Sequence, residues 1–177
     1  MHFLPVSTVI LTALFVPLCC RAAHAQDIDW QAYRSGRFGY SLLYPANLLA
    51  APVESANGQG LEFVSGDGLV KLKVIAAPHS GDVTLTDYRA MILRDLPAGA
   101  EIKYGPMGQS WFVLSGFRDQ SIYYEKVLFA CGGHVINAFA MTYPQRQRQF
   151  YDPIVTVIEK NFHSTSGPAC FGAVARR

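Results

Sequence analysis

The sequence predicts an α+β fold in which an antiparallel β-sheet is covered by helices on both faces, an α/β/α sandwich, and three features predict it. Residues 121–143 read as one long hairpin whose two faces are both apolar. Thr84-Leu85-Thr86-Asp87 has the spacing of a capping box and opens an amphipathic stretch in mid-chain. Asp152-Pro153 precedes a second amphipathic stretch near the C-terminus. A hairpin that would expose apolar side chains on either side needs cover on both, and two helices are available to supply it.

The chain opens with an apolar run over residues 3–20, followed by Arg21-Ala22-Ala23-His24-Ala25-Gln26. Ala23 and Ala25 form the A-x-A pattern that signal peptidase accepts, so residues 1–25 are read as a signal peptide cut between Ala25 and Gln26. The positive charge before the run is limited to the amino terminus and His2, which keeps a retained membrane anchor as the alternative. Cys19 and Cys20 follow Val16-Pro17-Leu18, so the small residue that lipidation requires before the cysteine is missing.

Residues 26–36 are polar and form an N-terminal arm, with Trp30 and Tyr33 as anchors, and the main domain is expected over residues 37–162. Phe38, Tyr40, Leu42 and Tyr44 alternate along a first strand that Pro45 ends. After a loop over residues 46–59, residues 61–64 and 69–76 flank Ser65-Gly66-Asp67-Gly68 and form a hairpin. In its second arm Val70, Leu72, Val74 and Ala76 point one way and Lys71 and Lys73 the other, so that strand is wet on one face.

Thr84 caps a helix of about three turns. Its stripe is Leu85, Tyr88, Ile92 and Leu96, and Pro97 with Gly99 ends it. Residues 101–104 and 110–117 form a further strand pair around Gly105-Pro106-Met107-Gly108. In the long hairpin, the Gly132-Gly133 turn makes facing residue numbers sum to 265. Leu128, Tyr124 and Ile122 then share a face with Val135, Phe139, Met141 and Tyr143, and Phe129, Val127 and Tyr123 share the other with Ile136, Ala138 and Ala140. Pro144 ends the hairpin, residues 145–151 form a short polar turn, and Asp152 caps a terminal helix with Pro153 in its first position. Ile154, Val155, Ile158 and Phe162 are its buried stripe, and residues 163–177 are a tail.

The complete chain has 177 residues, 15 basic against 13 acidic, half hydrophobic and 12% aromatic. Removing the signal with its one base, Arg21, leaves 152 residues and a net charge of +1. That suits one domain able to bury a full core. It excludes disorder and offers no basic excess for nucleic acid. With the signal removed, no second apolar span remains for stable membrane insertion.

Arg37-Phe38-Gly39-Tyr40-Ser41 with Tyr44-Pro45 resembles the opening of PsbP-like domains. The closing run resembles their end: Tyr124, Cys131-Gly132-Gly133, Tyr143-Pro144, Tyr151-Asp152-Pro153-Ile154-Val155 and Asn161-Phe162. The order of elements fits over residues 37–162, and the chain looks most like small exported bacterial proteins sharing that fold. The resemblance implies an antiparallel sheet between helical layers. Its members include an extrinsic photosystem II subunit and a Ran-binding import factor, so it also implies an accessory or binding role, with no binding residue carried over.

Two cysteines survive signal removal, Cys131 and Cys170, and in an oxidising compartment they are expected to pair. Two unlinked thiols are the alternative. In that case Cys131 faces His134 across the turn as a thiol beside an imidazole, the catalytic reading. His79, His134 and His163 lack the spacing of a metal site, so neither metal nor cofactor is expected. Gly108-Gln109-Ser110-Trp111-Phe112 lacks the closing glycine of a nucleophile elbow. Asp67 and Asp87 have local roles in a turn and a cap, which leaves Asp82 and Glu62 without a carboxylate pair. Asn137, opposite Leu128, is either a pocket-lining residue together with Tyr124 or a buried amide bonded to backbone. Arg146 and Arg148, interleaved with glutamines, read as a solvated face or a contact for an acidic partner.

The expectation is an exported, noncatalytic accessory or binding protein, periplasmic or secreted, whose partner is an envelope protein or a small ligand. Small-ligand carriage in an apolar pocket between sheet and helix, and an enzyme using Cys131 and His134, are the alternatives.

Overall fold

The computed structural model describes residues 27–164 and residue 170. Its strands are β1 (Trp30–Arg34), β2 (Tyr40–Pro45), β3 (Val53–Glu54), β4 (Gly60–Val64), β5 (Lys71–Pro78), β6 (Ala100–Tyr104), β7 (Trp111–Arg118), β8 (Ser121–Ala130), β9 (Val135–Pro144) and β10 (His163–Ser164). Helix α1 (Leu85–Arg94) lies between β5 and β6, and helix α2 (Arg148–Asn161) between β9 and β10. The expected signal peptide, its cut at Ala25 and Gln26, and most of the tail lie outside the described residues.

Two antiparallel sheets form. A seven-stranded sheet runs β3-β4-β5-β9-β8-β7-β6, and a three-stranded one runs β1-β2-β10. The β8–β9 register obeys the sum of 265 from Ser121 opposite Pro144 to Ala130 opposite Val135. The connection is longer than a two-residue turn. Cys131, Gly132 and Gly133 form a single 3₁₀ turn with φ of 56°, 66° and 92°, so Cys131 leaves the strand. The β4–β5 hairpin forms as expected, with Lys71, Lys73 and Ile75 exposed and Leu72, Val74 and Ala76 buried.

Strand alternation sorts the core into two clusters. On one face Ile122, Phe139, Met141 and Tyr143 join Leu72, Val74, Phe38, Tyr40 and Leu42, closed by Ile154, Val155, Ile158 and Phe162. On the other face Phe112, Leu114, Val127, Ile136 and Ala138 meet Leu85, Tyr88 and Ile92 of α1. The cover therefore differs from helices alone on both faces. The first face is roofed by α2 together with the small sheet, and α1 over the second has no buried residue of its own.

Four local expectations are corrected. The N-terminal arm is not strand-free: Trp30–Arg34 pairs with β2, because pairing satisfies its backbone while Trp30 and Tyr33 pack on the core. The next strand starts at Tyr40, so Phe38, expected within it, lies before it. The Phe38 N–H donates to Ser35 Oγ at 3.2 Å and the Gly39 N–H to Ser35 O at 3.1 Å, holding a turn there. Asp152 is no N-cap, since α2 begins four residues earlier and contains Pro153. The missing proline N–H costs α2 one backbone bond, and Asp152 serves instead as an acceptor for Tyr143 and Arg148. The α1 cap forms as read. Thr84 Oγ1 accepts from the Asp87 N–H at 3.1 Å and donates to the Asp87 carboxylate at 2.6 Å, but the helix stops at Arg94, before Leu96. No helix among the described residues is long and apolar enough to cross a membrane.

Candidate functional site

Strand register lays side chains in rows across the face that α2 roofs. Tyr104, Ser115, Tyr124 and Met141 stand in one row, with Phe117, Ile122 and Tyr143 in the next. At the Met141 and Tyr143 end the rows run under the buried stripe of α2. At the β6 and β7 end a groove of about 360 Å³ remains between sheet and helix. Ser115, Phe117, Ile122 and Tyr124 line it from the sheet, and Arg148, Asp152, Val155 and Thr156 from α2.

Tyr104 owes its place in this row to a β-bulge. The β6–β7 pairing runs in register from Ala100 to Ile102 and then shifts, so that Tyr104 and not Lys103 stands opposite Ser115. Gly116 permits the close approach: a Cβ there would lie 1.8 Å from Glu101 O, nearer than any real contact. Tyr104 is 56% exposed, at the rim of the groove.

The charges around the groove are paired locally. Arg148 Nε donates to Asp152 Oδ2 at 2.9 Å, and the Tyr143 hydroxyl donates to Asp152 Oδ1 at 2.8 Å. Thr156 Oγ1 donates to the Asp152 backbone carbonyl at 3.0 Å, Ser115 Oγ to Tyr123 O at 3.0 Å, and Lys103 pairs with Glu101. Burial raises the pKa of Tyr124, reinforced by the nearby Glu159 carboxylate, and burial with the bond to Asp152 raises that of Tyr143. Both therefore remain protonated donors throughout the neutral range.

Of the two residues expected to line a pocket, Tyr124 lines this groove and Asn137 does not. Asn137 is fully enclosed, and its Nδ2 donates to Ser164 Oγ at 3.0 Å and to Phe38 O at 3.4 Å. It ties β9 to the small sheet.

Cys131 and Cys170 are joined in a disulfide with Cα atoms 5.3 Å apart, so the sulfur read as a nucleophile is already bonded. His134 sits in the same turn. Its carbonyl accepts from the His79 N–H at 2.8 Å, and the His79 Nδ1 lies 2.8 Å from Gly133 O. Asp67 accepts from Ser65 Oγ and the Leu69 N–H within its turn, and Glu62 pairs with Lys73 at 3.6 Å. Among the described residues no three His, Cys, Asp or Glu side chains converge as a metal site would require.

Reading the sequence missed the polar residues of the hairpin interior. Lys126, 15% exposed, donates from Nζ to Glu159 O at 3.2 Å and to Glu159 Oε1 at 3.3 Å, with the Trp111 ring 5.9 Å away. Glu125, on the opposite face, has its pKa raised by burial, and Tyr88 and Tyr123 feel its charge. The hairpin register was the available signal, since the sum of 265 sets Lys126 opposite Phe139 and Glu125 opposite Ala140.

The chain matches no protein-family model and no curated protein sequence. It is similar in structure to the cyanobacterial PsbP of Synechocystis sp. PCC 6803, with a TM-score of 0.59 and 17% identity over 80% of this chain and 96% of that one. It is also similar to the Ran-binding protein Mog1p of Saccharomyces cerevisiae, with a TM-score of 0.52 and 7% identity over 81% and 99% of the two chains. The chain has a PsbP-like fold: mixed α+β, with antiparallel sheets and two helices.

Proposed function

We propose that this PsbP-like chain is an exported, noncatalytic accessory or binding protein of the periplasm or cell envelope, and that it binds through the groove beside Tyr104 and Tyr124. The groove carries the reading: a bulge and a glycine are spent on setting an exposed tyrosine at its rim, against bonded polar groups. Exposed aromatic and arginine side chains are the residue types that dominate recognition surfaces. The structural neighbour Mog1p is described as Ran-binding, so the architecture serves binding in at least one relative. Export is supported by the apolar leader with its Ala25-Gln26 cut and by the Cys131–Cys170 bridge, which suits an oxidising compartment. Processed in this way, the chain keeps no membrane insertion, and its near-neutral charge does not suit nucleic acid.

Small-ligand carriage is the second reading, favoured by a groove volume within the roughly 300–1,000 Å³ usual for small-molecule sites. An enzyme using Cys131 and His134 would first have to break the disulfide.

A photo-cross-linking side chain installed at position 104 in host cells, with a control at the exposed Ile75 on the opposite face, tests the main reading. The expected result is an envelope-fraction adduct from position 104 and none from position 75, on a chain whose unreduced mass begins at Gln26 and includes the disulfide. Equal adducts from both positions, or an unprocessed cytoplasmic chain with free thiols, would contradict it.

A further inference from the structure

We infer that the ligand of the Tyr104–Tyr124 groove is a neutral carbohydrate; the inference rests on the binding role proposed above and names its ligand class. Charge argues first. Each cation at the groove has a carboxylate partner, Lys103 with Glu101 and Arg148 with Asp152, so the site offers no surplus charge to an anion or a cation. A wholly apolar ligand is disfavoured too, because it would strip water from Arg148, Asp152 and Lys103 without replacing those hydrogen bonds.

Hydroxyl chemistry fits what remains. A sugar hydroxyl both donates and accepts, and the Arg148–Asp152 pair sets a planar donor beside an acceptor. Arg148 uses only Nε toward Asp152, which leaves its two terminal nitrogens unpartnered among the described residues. Ser115 and Thr156 each donate to a backbone carbonyl and keep lone pairs for an incoming hydroxyl. The aromatic wall supplies the other half of pyranose recognition, since rings of Tyr104, Phe117 and Tyr124 offer apolar surface to the C–H face of a sugar. An extended peptide is less well served, because the bulge and Lys103 at β6 interrupt the edge to which it would pair.

The test is a nuclear magnetic resonance titration of the oxidised mature chain with maltose, cellobiose and N,N′-diacetylchitobiose, and separately with inorganic phosphate. At least one disaccharide is expected to give saturable amide shifts confined to residues 104, 115–117, 124 and 152–156, with none from phosphate. Tyr104→Ala, at a half-exposed position, is expected to keep the wild-type melting temperature and to weaken binding roughly tenfold or more. Arg148→Lys, which keeps the charge and loses the fork, is expected to weaken it as well. No saturable shift with any disaccharide, shifts that survive Tyr104→Ala, or shifts with phosphate alone would each overturn the assignment. A protein adduct from position 104 together with silent titrations would overturn the carbohydrate and leave the binding role standing.

Discussion

Glu125 and Lys126 are adjacent on the central strand β8, point to opposite faces of the sheet, and meet different surroundings. Lys126 reaches the Glu159 carboxylate and carbonyl on α2, beneath a helix that buries Tyr151, Ile154, Val155 and Ile158. Glu125 lies under α1, a helix without a buried residue, and no hydrogen bond of its carboxylate is present among the described residues. The phenol of Tyr123 and Nε of Arg89 are likewise buried without partners, Tyr123 on the same sheet face and Arg89 on α1 itself. The difference teaches which layer is committed. The α2 face is a closed core with its interior ion pair satisfied and one buried acceptor, Asn137 Oδ1, left without a partner, and the groove at its edge inherits fixed walls. The α1 face is held by fewer enclosed contacts and bears an electrostatic cost.

Phe139→Ala attacks the closed side directly, removing a fully enclosed ring that packs edge-on against Phe162 with centroids 5.1 Å apart. It should cost about 3–5 kcal/mol in urea unfolding. Cys170→Ser opens a bridge across a sequence separation of 39 and should cost about 3–4 kcal/mol in the same measurement made without reductant. Glu159→Ala leaves Lys126 with the residue-159 backbone carbonyl and the Trp111 ring. Since the pair is partly solvent-exposed, the expected loss is about 2 kcal/mol, and a loss below that of an exposed surface substitution would show that the two faces are not different.

Glu125→Gln should act with the opposite sign. Burial raises the Glu125 pKa in the folded chain, so the folded state holds its proton more tightly than the unfolded state. Stability from this group is complete below the unfolded value of about 4.3 and is lost as pH rises through the raised folded value. Thermal melts across that window should show wild-type stability falling relative to Glu125→Gln, with the variant the more stable at neutral pH. Tyr104→Ala closes the series, with a stability change within about 0.5 kcal/mol in the same melts.

Much of the closed side is legible in the sequence. The Gly132-Gly133 turn fixes the β8–β9 register, and with it the residues of each face. The groove was legible only in part. Tyr124 and Asn137 share a face, yet they sit in different rows: one row runs out to the open β6 edge, and the other ends under Phe38 and Ser164. What separates them is long-range pairing, of β5 with β9 and of the small sheet over both, and no local pattern encodes it. The bulge at Ile102 and Tyr104 escaped notice because alternation alone would have set Lys103 there. Strand β1 escaped for a related reason: its polar residues form a strand only because β2 is present to pair with them.

Native-state hydrogen exchange read residue by residue tests the central contrast most directly. The account predicts that amides of α2 around Ile154 and Ile158 exchange only in global unfolding, together with Val127 and Phe139 of the central strands. Amides of α1 around Tyr88 and Ile92 should exchange through a smaller opening at much lower free energy, and Glu125→Gln should slow them. Equal protection of the two helices, unchanged by Glu125→Gln, would contradict it.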